Sequence, residues 1–447
     1  MRFAPLVDRV AGRGSAAWSI HIEARRRQEA GEDIIFLTVG DPDQAPPEAV
    51  IEATVAALRQ HRTGYAPTIG YPAVREAIAA RVARRSGQPC AADNIAVVPG
   101  TQGGLYCALQ CLAGRGDEVV VGEPIYATYE GVIGASEAAM VTFPLRPETG
   151  FRPDVDALAQ AITPNSRVLW INSPHNPTGV VFTRAEIDGI AALCCAHDLW
   201  LLSDEVYEDL AFARPHIGAW SLPGMAERTV VVSSLSKSHA LPAFRLGWVV
   251  GPPALTRHLS NLLLCLTYGS PAFIQHGALP ALRRDLLEVA TLREDYRARA
   301  AMLSGLLADA PGCLLTPPEG GMFVLLDVRG TGLGAAEFAR GLLDRERVAV
   351  LPCDGFGPSA AGHLRIALSE PEARLREAEQ SLRLGVVHDD AVNPAFGIYE
   401  RSARLQMALA RSLRIATSSR VDKVSAGANA RRDSSAQPWT FERKTDE

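Results

Sequence analysis

Between about residues 95 and 250 the chain alternates two kinds of segment. Short runs that are apolar throughout (NIAVV, DEVVVG, RVLWIN, LWLLSDE, TVVVSS and LGWVVG) are separated by longer stretches with apolar residues at helical spacing, such as AEIDGIAALCCAHD. Strands without an exposed face, divided by helices, predict a mainly parallel sheet covered on both sides. In such sheets ligands bind beyond the carboxyl ends of the strands. The polar clusters PGTQGG, SPHNPTG, SDEVY and SLSKS fall at those ends.

After about residue 285 the pattern changes. The helical stretch LLEVATLREDYRARAAMLSGLLADA leads into GGMFVLLDV, a helix around AAEFARGLLDRE, and the strands VAVLPC and GHLRIAL. This mixture predicts a smaller α+β domain. The expected organisation is an N-terminal arm and part of the small domain over 1–45, a large domain over 46–284, and the small domain over 285–385. The remainder, 386–447, loses apolar periodicity and ends small, polar and charged. It reads as a disordered tail, with one basic amphipathic stretch, ERSARLQMALARSLRIA, able to form a helix.

Composition narrows the function classes. Apolar residues make up 47% and charged residues 21%, an ordinary globular balance. A formal charge of −5 gives no basic field for nucleic acid. No signal-peptide pattern opens the chain and no run reaches membrane-spanning length, so a cytoplasmic location without membrane contact is expected. The 8 cysteines form no CxxC pair, which argues for reduced thiols and against a metal site.

Within SSLSKSH, Lys237 stands after a buried strand. A lysine there is costly unless its amine is used, and a destabilised ammonium titrates low enough to attack a carbonyl. Pyridoxal phosphate exploits such an amine. Its ring nitrogen needs a carboxylate, for which Asp204 stands on an otherwise apolar strand; an N-cap would explain Asp204 equally well. Tyr207 and Asn176 can serve the phenolic oxygen, although Asn-Pro-Thr-Gly is also ordinary turn chemistry. PGTQGG between strand and helix suits a phosphate, with Arg245 and Ser234 or Ser236 in support. Tyr126 in EPIYATYE offers a ring to stack on, or plain packing. His239 fits a structural histidine better than a proton shuttle.

The motifs VGDPD, YAPTIGYPAVREAI, PGTQGGL, EPIYATY, SPHNPTGVV, SDEVY, SLSKSHALPAFRLGW, GGMFV and HLRIALS occur in the order found in fold-type I pyridoxal-phosphate enzymes of the class I/II aminotransferase group. The chain resembles that family from about residue 16 to about residue 385. The resemblance implies the α/β fold of these PLP-dependent transferases and a ping-pong aminotransferase. It also implies Lys237 as the Schiff-base lysine, Asp204 as the pyridinium partner, and Tyr207 and Asn176 at the phenolic oxygen. Gly100, Thr101, Gln102, Ser234, Ser236 and Arg245 then match the phosphate cup, and Tyr126 the stacking ring. Tyr65 matches a tyrosine that reaches the neighbouring subunit's phosphate, implying a homodimer. Arg365, with Gly40 and Asn176, matches the grip on the substrate α-carboxylate.

Phrases outside the cofactor site, such as AAWSIH and YGSPAFIQ, resemble the arginine–pyruvate branch of the group and imply L-arginine as donor and pyruvate as acceptor. Asp43 and Glu130 are then candidates for the guanidinium end, and Gln44 for a polar entrance. Pro242-Ala243 departs from the usual Thr-Gly pair, so strain near Arg245 is expected. A lyase on the same fold and a non-catalytic ligand-binding relative are the alternatives.

Overall fold

A computed structural model describes residues 2–12 and 18–385. The expected tail over 386–447 lies outside the described residues. Seven strands form the main sheet: β2 (Ile95–Val98), β3 (Glu118–Glu123), β4 (Ala139–Pro144), β5 (Ser166–Asn172), β6 (Trp200–Asp204), β7 (Thr229–Ser234) and β8 (Gly247–Val250). Their spatial order is β2-β8-β7-β6-β5-β3-β4.

Alternation along each strand divides the core. Val120, Leu169, Ile171, Leu201 and Val231 join one hydrophobic cluster, while Val119, Val121, Val168, Trp170, Leu202, Val230 and Val232 join another on the opposite face. Both faces are covered, so the runs are apolar throughout. The helices carry their own start signals. Thr183 and Glu186 form a reciprocal cap on the helix Arg184–Ala196, through N–H···O bonds of 3.3 and 2.7 Å.

Two features differ from the sequence expectation. The edge strand β4 was not announced by the pattern, and only Phe143 of its six residues is buried. The other is β8, which runs antiparallel between β2 and β7. Its first residue therefore lies at the edge where the parallel strands end, and Arg245, just before it, arrives beside Gly100. The approach is close: a Cβ on Gly247 would sit 2.7 Å from the Gly100 carbonyl carbon.

A second sheet is antiparallel, ordered β12 (Leu351–Pro352), β13 (His363–Ala367), β10 (Phe323–Asp327) and β9 (Leu314–Thr316). The helices Leu287–Leu306 and Ala335–Glu346 both pack on the helix Glu372–Gly385. Near the N-terminus, β1 (Ile35–Phe36) pairs in parallel with β11 (Val348–Ala349), and the Ala367 amide donates to the Leu37 carbonyl. This pairing carries Val39 and Gly40 to the edge of a cavity.

Candidate active site

The cavity, of about 370 Å³, opens beyond the carboxyl ends of the parallel strands. Its wall includes Gly40, Thr101, Gln102, Tyr126, Asn176, Asp204, Tyr207, Ser236, Lys237, Arg245 and Arg365. Eleven sequence candidates thus converge from eight separate segments. Gly100 and Ser234 stand just behind, and Tyr65 lies apart on the surface, 86% exposed and packed on the Tyr268 ring.

Three buried or half-buried charges meet here, and among the described residues none of them forms an ion pair. The Lys237 ammonium donates to the Gly40 carbonyl at 2.6 Å, and among the described residues no carboxylate lies within 4.0 Å of it. Burial lowers its pKa to about 8; Asp41 opposes the shift, while Arg365 and Arg245 add to it. Asp204 ends β6 and is buried. Burial raises its pKa to about 6, against hydrogen bonds from the Tyr129 hydroxyl (2.7 Å) and the Val206 amide (3.2 Å). The Val206 bond is a local turn, and the short helix that follows begins only at Glu208, so Asp204 is not its N-cap. Tyr207 stands in that turn, and the Asn176 amide donates to its hydroxyl at 3.4 Å.

Arg365 is the third charge. Alternation along β13 turns it toward the cavity while Leu364 and Ile366 face the small-sheet core. It is 1% exposed, 4.0 Å from the Phe323 ring centroid and 5.3 Å from that of Phe356. The guanidinium donates to Asn176 Oδ1 (3.0 Å) and the Thr38 carbonyl (2.6 Å), and its Nε has no partner among the described residues. Burial lowers its pKa. A cation so placed is expensive unless an anion completes it.

Beside these charges lies an anion cradle. Gly100 opens the helix Gly100–Leu112 with φ +73°, a conformation that favours glycine, and a Cβ there would meet Arg245 Nη2 at 2.5 Å. Arg245 donates to the carbonyls of Pro99 (3.1 Å) and Pro242 (2.9 Å), and Thr101 Oγ1 donates to Ser234 Oγ (2.9 Å). Ala243 has no positive φ, so the expected strain is absent there. A Pro242–Phe244 turn places Arg245 instead, in the left-handed region at φ +50°.

Sequence reasoning missed Tyr129, Phe323 and Trp18, which also line the cavity. Tyr129 carried a signal: EPIYATYE repeats its aromatic three residues on. Neither Asp43 nor Glu130 lines the wall; Asp43 pairs with Arg299 at 2.8 Å. Gln44 is absent from the wall as well and donates to Asp295. His239 is buried against the Ser238 hydroxyl at 2.8 Å, and burial lowers its pKa to about 4, as suits a structural residue.

Comparison with known proteins agrees with this geometry. The family model for aminotransferase class I and II matches residues 32–382. The chain is 49% identical over 384 residues to an arginine–pyruvate transaminase (AruH) of Pseudomonas aeruginosa, covering 86% of this chain and 98% of that one. It is 32% identical over 390 residues to an aspartate aminotransferase of Musicola paradisiaca, covering 86% and 98%. The solved structure of Thermus thermophilus aspartate aminotransferase with maleate aligns with a TM-score of 0.82 at 31% identity, covering 86% of this chain and 100% of that one. With its mostly parallel large sheet and the charged cavity at the strand ends, the chain has the fold-type I architecture and belongs to the class I and II aminotransferases.

Proposed function

We propose that this aminotransferase uses pyridoxal phosphate to move the amino group of L-arginine to pyruvate. The observation that carries the cofactor assignment is the set Lys237, Asp204 and Arg365 around one cavity, none of them ion-paired among the described residues. Asp204 would hold the ring nitrogen, Tyr207 and Asn176 the phenolic oxygen, and Tyr126 a ring face. Gly100, Thr101, Gln102, Ser234, Ser236 and Arg245 would take the phosphate, with Tyr65 contributed by a second copy in a homodimer. When bound, the cofactor serves as an electron sink for the carbon that loses its proton.

The chain's own groups do the rest. A fraction of Lys237 is neutral near physiological pH, so its amine can take and return a proton at the substrate Cα. Arg365, with Asn176 and Gly40, fits a carboxylate common to amino acid and oxo acid, as a ping-pong exchange through one site requires. Eight free cysteines suit a reducing, cytoplasmic setting. Among the described residues no helix is long and apolar enough to cross a membrane.

Support for the substrate pair is the 49% identity to an arginine–pyruvate transaminase across nearly its whole length. The test compares specificity constants for arginine, lysine, aspartate, alanine and phenylalanine in the first half-reaction. Arginine is expected to lead, and an aspartate or phenylalanine value at or above it overturns the pair while leaving the aminotransferase assignment in place.

A further inference from the structure

Asp204 is held by a residue that the cofactor constellation does not include. Tyr129 begins the helix Tyr129–Ala135, and its hydroxyl donates to Asp204 Oδ2 at 2.7 Å. The ring is buried, stacked on Trp170 at 4.1 Å between centroids, with the edge of Tyr126 at 5.7 Å. The stacking on Trp170 and the T-shaped contact with Tyr126 restrict the phenol ring.

The helix is also fixed from outside. Arg9 Nε donates to the Gly134 carbonyl at 3.0 Å, and Arg9 Nη2 meets Glu137 at 2.9 Å. A Cβ on Gly134 would stand 2.4 Å from the Arg9 carbonyl oxygen, and one on Gly131 2.9 Å from that of Val10. The N-terminal segment therefore seats directly on the helix that carries Tyr129.

We propose that Tyr129 is a positioning residue for Asp204, fixing one carboxylate oxygen so that the ionised group faces the cavity. The inference rests on the pyridoxal-phosphate assignment above. The titratable groups around Asp204 are Tyr129, Tyr126, Tyr207 and the adjacent Glu205. All three tyrosines are pushed above the usual phenol range, first by burial, so each remains a neutral donor at working pH. With no cation paired to Asp204 among the described residues, the Tyr129 bond is the one side-chain interaction that favours its charged form.

The test is equilibrium affinity for pyridoxal 5'-phosphate, measured by absorbance from pH 5 to 8 on full-length protein. Tyr129→Phe keeps the ring on Trp170 and removes only the donor. Binding needs Asp204 ionised, so the acid limb of the affinity profile is expected to move up by about one pH unit. Near pH 8 the loss should stay within about tenfold. In an Asp204→Asn background, with no carboxylate to ionise, Tyr129→Phe should move no limb. An unmoved limb, an equal loss at every pH, or the same shift in the Asp204→Asn background would overturn the proposal. Wild-type protein that binds no pyridoxal phosphate overturns both this inference and the cofactor assignment, whereas normal wild-type binding with an unmoved limb overturns this one alone.

Discussion

Asp204 and Asp209 stand five residues apart, are both buried, and live in opposite electrostatic worlds. Asp209 sits in a cluster of ion pairs that also takes in Asp285. Arg81 reaches it at 2.6 Å and Glu208 at 3.3 Å, Arg85 reaches Asp209 at 2.5 Å, and His216 meets Glu205 at 3.2 Å. Burial alone would raise the Asp209 pKa, yet the two guanidinium groups hold it well below the usual carboxylate range. Among the described residues Asp204 has a phenol and an amide but no paired cation, and burial wins. The ion-paired cluster balances itself even though it lines a cavity of about 280 Å³, whereas buried charges without an ion pair around a cavity mark a place where a ligand can finish the balance.

The largest effect expected from this contrast concerns turnover. Lys237→Ala should fold, by circular dichroism, yet lose transamination by at least the roughly 10²–10⁴-fold that proton transfer contributes. Near-normal turnover would show that the open charge is not the working group.

Next comes the closed cluster. Arg81→Ala leaves Asp209 without its main partner and should cost about 3–5 kcal/mol in denaturant unfolding. A loss below 1 kcal/mol would mean that Arg85 alone satisfies the site.

Arg365→Lys should lower the unfolding midpoint less than Arg81→Ala does, since no ion pair among the described residues is lost. It should weaken amino acid and oxo acid alike by about 1.5–3 kcal/mol, because an ammonium cannot present a planar fork. Weakening of one substrate only would move Arg365 to a side-chain subsite.

The smallest and sharpest difference is in pH dependence of the cofactor-free protein. Asp204 binds its proton more tightly folded than unfolded, with a pKa near 6 against 3.8. Its contribution therefore falls as pH rises from about 4 to 6. Asp209 is shifted the other way, so its contribution is present above the unfolded value and is lost as pH falls below it. Melting curves of Asp204→Asn and Asp209→Asn between pH 3 and 7 should change slope in opposite senses. Slopes of one sign would mean that the two carboxylates share an environment.

Much of the site was legible because its residues end strands that announce themselves. VVVSS, LLSDE and LWIN are apolar on both faces, so a polar residue at their ends stands out and lies at one sheet edge. Arg365 was less legible from periodicity, since HLRIAL reads as a strand whichever way the arginine faces. Tyr129 went unseen because its role depends on a partner 75 positions later. Asp43 and Glu130 looked like plausible acids on paper, but Arg299, 256 positions from Asp43, had already claimed the first.

Local pattern by itself determined the strands of β2, β3 and β5–β8, the helices between them, and the arrival of polar clusters at carboxyl ends. Those depend on side-chain alternation and nearest-neighbour spacing, which the chain carries wherever it goes. Only the tertiary structure decided which charges are paired. It turned β8 antiparallel and so brought Arg245 against Gly100, and it closed Arg81 onto Asp209 across 128 positions. It left Lys237, Asp204 and Arg365 facing one cavity with no ion-pair partner among the described residues. Pairing is a matter of a few ångströms between residues far apart in sequence, and no local period encodes that distance.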